Sequence, residues 1–188
     1  MTHTIAIVIA VVVGIAILIA IALMLLAVGE NAPRRSPVER PDSAVDTYVD
    51  RNASWAAEVT IDSTASPDAV FTLLRERSYL SRVPFLTGPT TVDTGRRVTR
   101  AVIASFEEEV AESIPGRGYA TVGTGVCVPL TIESFAQRYR IEPLATGSSV
   151  DWAIGVTPQW IGWFPLRWTG FVARPAMKIV LRWALRGA

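Results

Sequence analysis

The densest group of ionisable side chains in the 188-residue sequence is Glu107-Glu108-Glu109 together with Glu112. A carboxyl group does acid or base work when it is held away from water, so that its pKa climbs toward neutrality. Side chains alternate along a strand, so Glu108 and Glu112 are expected on one side with Phe106, Val110 and Ile114, and Glu107 and Glu109 on the other. The plain reading is a solvated sheet face set against arginines of neighbouring strands. A buried Glu108 or Glu112 is the reading that carries chemistry, and Glu133, Tyr139 and Asp151 complete the acid and base candidates. No catalytic residue is assigned. His3 is the only histidine and Cys127 the only cysteine, so Cys/His zinc sites, Ser-His-Asp triads and Cys-His pairs have no residues to build them, and no metal or cofactor is expected. Gly116, Gly118, Gly123 and Gly125 follow a strand turn and do not open a helix, which removes phosphate-loop and dinucleotide fingerprints.

A second chemical signal lies near the C-terminus. Trp160, Ile161, Trp163, Phe164 and Trp168 are crowded together, and Arg174, Lys178, Arg182 and Arg186 follow at four-residue spacing. On a helix that spacing drifts by only about 40° per step, so the cations form one stripe. Like charges so placed repel one another and invite an anionic partner. Trp160, Trp163, Arg174, Lys178, Arg182 and Arg186 are therefore candidate membrane contacts, against the plainer alternative of a core helix with a solvated cationic face.

The elements that must hold these residues fall into three stretches. Residues 1–29 contain an uncharged apolar run from Ile5 to Val28. As a helix it would be about 36 Å long, enough to cross a hydrocarbon core of about 30 Å. A cleavable signal would have a basic leader and a shorter apolar run, although Ala27-Val28-Gly29 imitates a cleavage site. The reading is a single-pass anchor whose partner is the bilayer. Ala6, Ala10 and Gly14 also allow, weakly, a helix-packing face toward another envelope protein. Arg34, Arg35 and Arg40 follow the run, which favours a cytoplasmic C-terminal domain. Residues 30–52, with three prolines and no apolar period, read as a linker. Residues 53–188 form the domain. The net charge of +1 gives no sign of a nucleic-acid partner.

Within the domain, Trp55, Ala57, Val59 and Ile61 alternate with polar residues and predict a half-buried strand. Ser66-Pro67-Asp68 starts a helix with a Ser cap, Pro at the first position and an acid in the first turn, directing Val70, Phe71 and Leu74 to a core as far as Glu76. A second short helix is expected around Tyr79–Val83. Strands follow over Gly88–Thr94, Arg96–Ser105, Phe106–Ile114, Tyr119–Val126, Leu130–Glu142 and Val150–Val156. Pro165–Arg186 closes the chain as a helix kinked or restarted at Pro175. A long antiparallel sheet needs one face covered, and only that last helix is left to cover it.

This α+β order and four local strings resemble the START-like (SRPBCC) superfamily of polyketide cyclase/dehydrase and lipid-transport domains. The strings are Val59–Ser63 with Ser66–Phe71, Gly95–Val98 with Glu109-Val110 and Pro115…Tyr119, Gly147–Trp152 running into Val156–Pro158, and the terminal helix, together spanning about 54–187. The resemblance implies a helix-grip fold, an antiparallel sheet curved around a C-terminal helix, enclosing a cavity for a lipid, polyketide or other apolar molecule. On the residues alone the apolar strand faces could equally pack a solid core; the lining expected of such a cavity is Trp55, Val59, Ile61, Arg100, Glu133, Phe135, Tyr139, Trp152, Ile154 and Phe171, with Gln137 among the polar interruptions. Two readings follow: a membrane-anchored module that binds or transfers an apolar ligand, or a cyclase/dehydratase-type enzyme using a cavity carboxylate or tyrosine.

Overall fold

The structure, a computed structural model, describes residues 36–76, 86–93, 96–101, 104–127 and 132–186. The expected membrane span and the helix around Tyr79–Val83 lie outside the described residues, as does the Arg100 side chain. Among the described residues no helix is long and apolar enough to cross a membrane.

The chain runs β1 (Ser36–Pro37), a helical turn α1 (Val45–Thr47) continued by a π-helical turn (Tyr48–Asn52), β2 (Trp55–Ser63) and α2 (Pro67–Glu76). Strands β3 (Leu86–Asp93), β4 (Arg96–Ala101), β5 (Ala104–Ile114), β6 (Gly118–Cys127), β7 (Ile132–Pro143) and β8 (Ser148–Pro158) follow. A 3₁₀ segment, Leu166–Val172, leads into α3 (Arg174–Leu185). All strand pairs are antiparallel, in the order β2-β8-β7-β6-β5-β4-β3, with β1 added beside β6.

The last strand, β8, returns to β2, so Trp55, Ala57, Val59 and Ile61 sit opposite Val156, Ile154, Trp152 and Val150. These residues share one face with Tyr139 and Ile141 of β7 and Tyr119 of β6. We call it the inner face, because α2 and α3 pack on it. Helix α2 contributes Val70, Phe71, Leu73 and Leu74, and α3 contributes Met177, Leu181, Ala184 and Leu185, to one core with Val59, Tyr119, Tyr139, Ile141 and Val150. Ser66 caps α2 as its sequence predicts, its Oγ accepting the Ala69 N–H at 3.4 Å. The restart at Pro175 is also present: the proline lies in the first turn of α3, where its missing N–H costs no helical bond.

The segment expected to be a linker differs over residues 36–52, because much of it packs on the sheet. Val45, Tyr48, Val49 and Ala53 form a second core with Ala120, Val122, Ala136 and Ala153 on the opposite, outer face. The Tyr48 hydroxyl donates to the Ser134 carbonyl at 2.8 Å and lies 2.9 Å from the hydroxyls of both Ser134 and Thr157. Burial pushes the Tyr48 phenol pKa up, opposed by hydrogen bonds with Ser134 and Thr157. Gly155 makes the seat possible: a Cβ there would lie 3.0 Å from Ala53 Cβ and 3.1 Å from Val49 Cα. Farther back, β6 and β7 pair only between Gly118/Arg140 and Val122/Ala136. Beyond that point β1 occupies the edge of β6, Val38 donates to the Thr124 carbonyl at 3.3 Å, and Glu39 donates to that of Glu133 at 2.7 Å.

Candidate functional site on the inner face

Five polar or aromatic side chains from four neighbouring strands line up across the inner face beside the core gripped by α3. Glu108 stands on β5, Thr121 on β6, Gln137 and Tyr139 on β7, and Trp152 on β8. Register puts them together, since Thr121 is opposite Gln137 and Tyr139 is flanked by Tyr119 and Trp152. Glu108 is 4% exposed. Its carboxylate accepts the Thr121 hydroxyl at 3.2 Å and the Gln137 amide N–H. The Gln137 oxygen in turn accepts the Trp152 indole N–H at 3.1 Å and the Tyr139 hydroxyl at 3.4 Å. The Tyr139 and Trp152 rings stack, with centroids 5.6 Å apart and planes within 10°. The result is a buried polar row inside an aromatic wall, able to orient one polar group of an otherwise apolar molecule.

Two irregularities place Glu108 inside and Glu112 outside. The register slips between Glu107 and Glu108, where Thr124 is the extra residue of β6, and between Val110 and Glu112, where Ala111 is extra in β5. The second bulge turns Glu112 to the side of its partner Ala120, so the expected sharing of one face by Glu108 and Glu112 is corrected. Glu112 is exposed and borders a polar cleft of about 150 Å³ with Asp46, Arg117, Arg138 and Arg140. The solvated-face reading is likewise corrected for Glu108, although Glu107 does meet Arg96 at 3.7 Å.

Most of the expected lining residues lie on the inner face. Val59 and Tyr139 are buried in the core with α3, and Phe135 is buried with its ring laid over Gly123, where a Cβ would come within 2.2 Å of it. Phe106 meets Phe135 edge to face at 5.6 Å. Trp55, Ile61, Trp152 and Ile154 are half-buried and pack against the core from the sheet side. Two expectations are corrected. Glu133 is exposed, because the β7 register slips between Ile132 and Ser134. Phe171 is 59% exposed, because it points off the 3₁₀ segment into an outside groove. Glu108 in its bonded role, Thr121 and Gln137 as a unit are what sequence reasoning missed. The available signal was the alternation that places Gln137 between Phe135 and Tyr139.

Asp151 was considered for acid–base work inside the cavity, and the structure places it on the outer face. It lies opposite Thr60 and Arg140, with its pKa pushed up to about 7 by burial and by the neighbouring Glu58 carboxylate. Nearby, Arg138 is buried and reaches Asp50 at 2.7 Å, Asp46 at 3.1 Å and Glu58 at 3.3 Å. Burial works against its charge, but these carboxylates outweigh it and hold the guanidinium pKa above its ordinary value. Hydrogen bonding to Arg138 lowers the Asp50 pKa. This network fastens the 45–52 turns to the sheet.

Among the expected membrane contacts, Trp160 and Trp163 are exposed, as are Arg174, Lys178, Arg182 and Arg186. Among the described residues no cluster of three or more His, Cys, Asp or Glu side chains is arranged to hold a metal ion.

An antiparallel sheet in which β2 pairs with the last strand, β8, with a terminal helix on a mostly apolar face, defines a helix-grip domain of the START-like class. The family model described as polyketide cyclase / dehydrase and lipid transport matches residues 54–187, and the chain belongs to that family. Among solved structures, a START superfamily protein from Mycobacterium smegmatis is 14% identical with a TM-score of 0.54, over 70% of this chain and 94% of its own. A conserved protein from Geobacillus kaustophilus is 10% identical with a TM-score of 0.57, over 70% and 93%. XoxI from Bacillus cereus is 13% identical with a TM-score of 0.52, over 71% and 94%. At these identities the likeness is one of fold. No curated protein matches the sequence.

Proposed function

We propose that this protein binds an apolar ligand, a lipid or polyketide-like molecule, between the inner face and α3, and hands it to or takes it from a membrane to which residues 5–28 tether the domain. The observation that carries the reading is the polar row from Glu108 to Trp152 within an aromatic face. The row's members bond to one another within an otherwise apolar face, and a ligand hydroxyl donating to the Glu108 carboxylate would extend it. The lipid-transport half of the family description and the half-buried Trp55, Trp152 and Ile154 support it. Tethering raises the local concentration of pocket and bilayer, so modest affinity suffices. Arg34, Arg35 and Arg40 favour the cytoplasmic leaflet, which protease accessibility in right-side-out vesicles tests.

The experiment is titration of the full chain with a fluorescent fatty-acid analogue. Saturable binding is expected, weakened about tenfold or more by Ile154→Lys, which sets a charge on the inner face. Gln137→Leu keeps the shape while breaking the polar row, and is expected to weaken binding several-fold with the fold intact. Absence of saturable binding, or equal binding by all three proteins, contradicts the reading.

A second reading, a cyclase or dehydratase, is favoured by one observation: the Glu108 carboxylate and the Tyr139 hydroxyl meet on the same Gln137 amide. It predicts that Glu108→Gln keeps ligand binding and abolishes conversion of a bound polyketide-like ligand. Recovery of the ligand unchanged from the wild-type protein argues for binding alone.

A further inference from the structure

Immediately after β8 the chain places its largest apolar side chains in solvent. Trp160, Trp163 and Trp168 are 72%, 82% and 68% exposed. A loop free to move could fold such side chains away, but this segment is held in place by its polar groups. The Arg167 guanidinium is turned inward and donates to the carbonyls of Ala53 at 3.0 Å and Val49 at 2.9 Å. Gly170 is pressed so closely on β2 that a Cβ would lie 2.0 Å from the Ala56 carbonyl oxygen. The Thr169 hydroxyl closes the 3₁₀ turn by donating to the Leu166 carbonyl at 2.7 Å. The frame is fixed while the aromatic rings face out, an arrangement with an unfavourable hydration cost unless something covers them.

The charge that follows the aromatics in the chain says what covers them. From residue 152 to the C-terminus there is no Asp or Glu, and five Lys or Arg residues. Arg167 is used internally, and the others follow the aromatic segment. Arg174, Lys178 and Arg182 line an open groove of about 420 Å³ with Phe171, Pro175 and Ile179. Phe171 and Ile179 therefore share the solvent side of α3 with the cations, its other side being buried against the sheet, and the three exposed tryptophans immediately precede this groove in the chain. Indole rings settle at the level of lipid headgroups, and Lys and Arg lay their aliphatic stems on apolar surface while keeping their charge in water. An acidic protein partner would match the cations and leave the tryptophans unexplained, and an apolar partner the reverse.

We propose that the surface formed by residues 160–182 docks the domain on an anionic lipid bilayer, with the tryptophans at headgroup depth and the α3 cations against lipid phosphates. This extends the membrane association proposed above to a named face, and it draws on residues of the domain alone. The full chain, reconstituted in phosphatidylcholine vesicles with or without about 30% phosphatidylglycerol and with bromine on the acyl chains, provides the test through tryptophan emission. Quenching in the anionic vesicles is expected to be at least twofold greater than in the neutral ones, and to be relieved by high salt. The Arg174→Glu/Lys178→Glu/Arg182→Glu protein keeps every tryptophan and is expected to lose that excess, with an unchanged circular dichroism spectrum. Equal quenching of both proteins in both vesicles overturns docking while leaving the tether in place. Emission shielded from bromine alongside a doubled particle mass overturns it in favour of a second copy of the chain. Failure of the chain to float with vesicles at all overturns docking and tether together.

Discussion

On the outer face four carboxylates, Asp46, Asp50, Glu58 and Asp151, surround two guanidinium groups, Arg138 and Arg140. The imbalance falls on Asp151, whose folded pKa of about 7 stands well above the 3.8 of a free carboxyl. Between those two pH values the folded protein holds a proton that the unfolded chain has released. The contribution to stability is therefore full below about pH 4 and is lost as pH rises through about 7. A fully shielded group so displaced would contribute about 4 kcal/mol, and screening at this partly exposed position leaves about 1–2 kcal/mol. Asp151→Asn removes the titration. Relative to the wild type it is expected to gain that amount in going from pH 4 to pH 8, or a few degrees in Tm, measured by thermal melts at both pH values. An identical offset at pH 4 and pH 8 contradicts the assignment. Asp50 acts in the opposite sense: held low by Arg138, it contributes stability above the normal carboxylate range that is lost on acidification.

At the scale of elements, the seat of the 45–53 segment on β8 depends on the missing side chain of Gly155. Valine there would push γ-carbons into Ala53, Val49 and Tyr48, and is expected to cost about 2–3 kcal/mol in denaturant unfolding. Tyr48→Phe, which deletes the bonds to Ser134 and Thr157, is expected to cost about 1–2 kcal/mol. Wild-type stability for both variants would show that the segment is not part of the folded unit. These contacts also explain what was legible in the sequence. The strands could be read because alternation such as Trp55, Ala57, Val59, Ile61 is local, and α2 because Ser66, Pro67 and Asp68 cap it within three residues. The 36–53 segment could not be read, because its burial rests on partners 86 and 109 residues away. Nor could the β5 bulge at Ala111, which a period of two cannot show and which separates Glu108 from Glu112. Phe171 was expected in the cavity lining, and the 3₁₀ segment leaves it exposed.

For the whole molecule, the sheet has two faces with different tasks. The outer face is closed by its own chain through Tyr48 and Arg138, and the inner face is covered by α2 and α3, where ligand binding is proposed. The solvent side of α3 carries Arg174, Lys178 and Arg182 with Phe171 and Ile179, so a ligand bound as proposed would be one helix away from that groove. The candidate site was partly visible beforehand, in Trp55, Phe135, Tyr139, Trp152 and Ile154. The Glu108–Gln137 row was not, because it is created by register between strands and not by any motif along one of them.

Native mass spectrometry of the full chain, stripped of lipid and then incubated with a total membrane lipid extract, tests the central claim most directly. The account predicts a second peak displaced by the mass of one apolar molecule, reduced several-fold in Gln137→Leu at matched Tm. A single peak at the mass of the bare chain, in both proteins, would contradict it and leave a helix-grip domain packed solid by its own aromatic side chains.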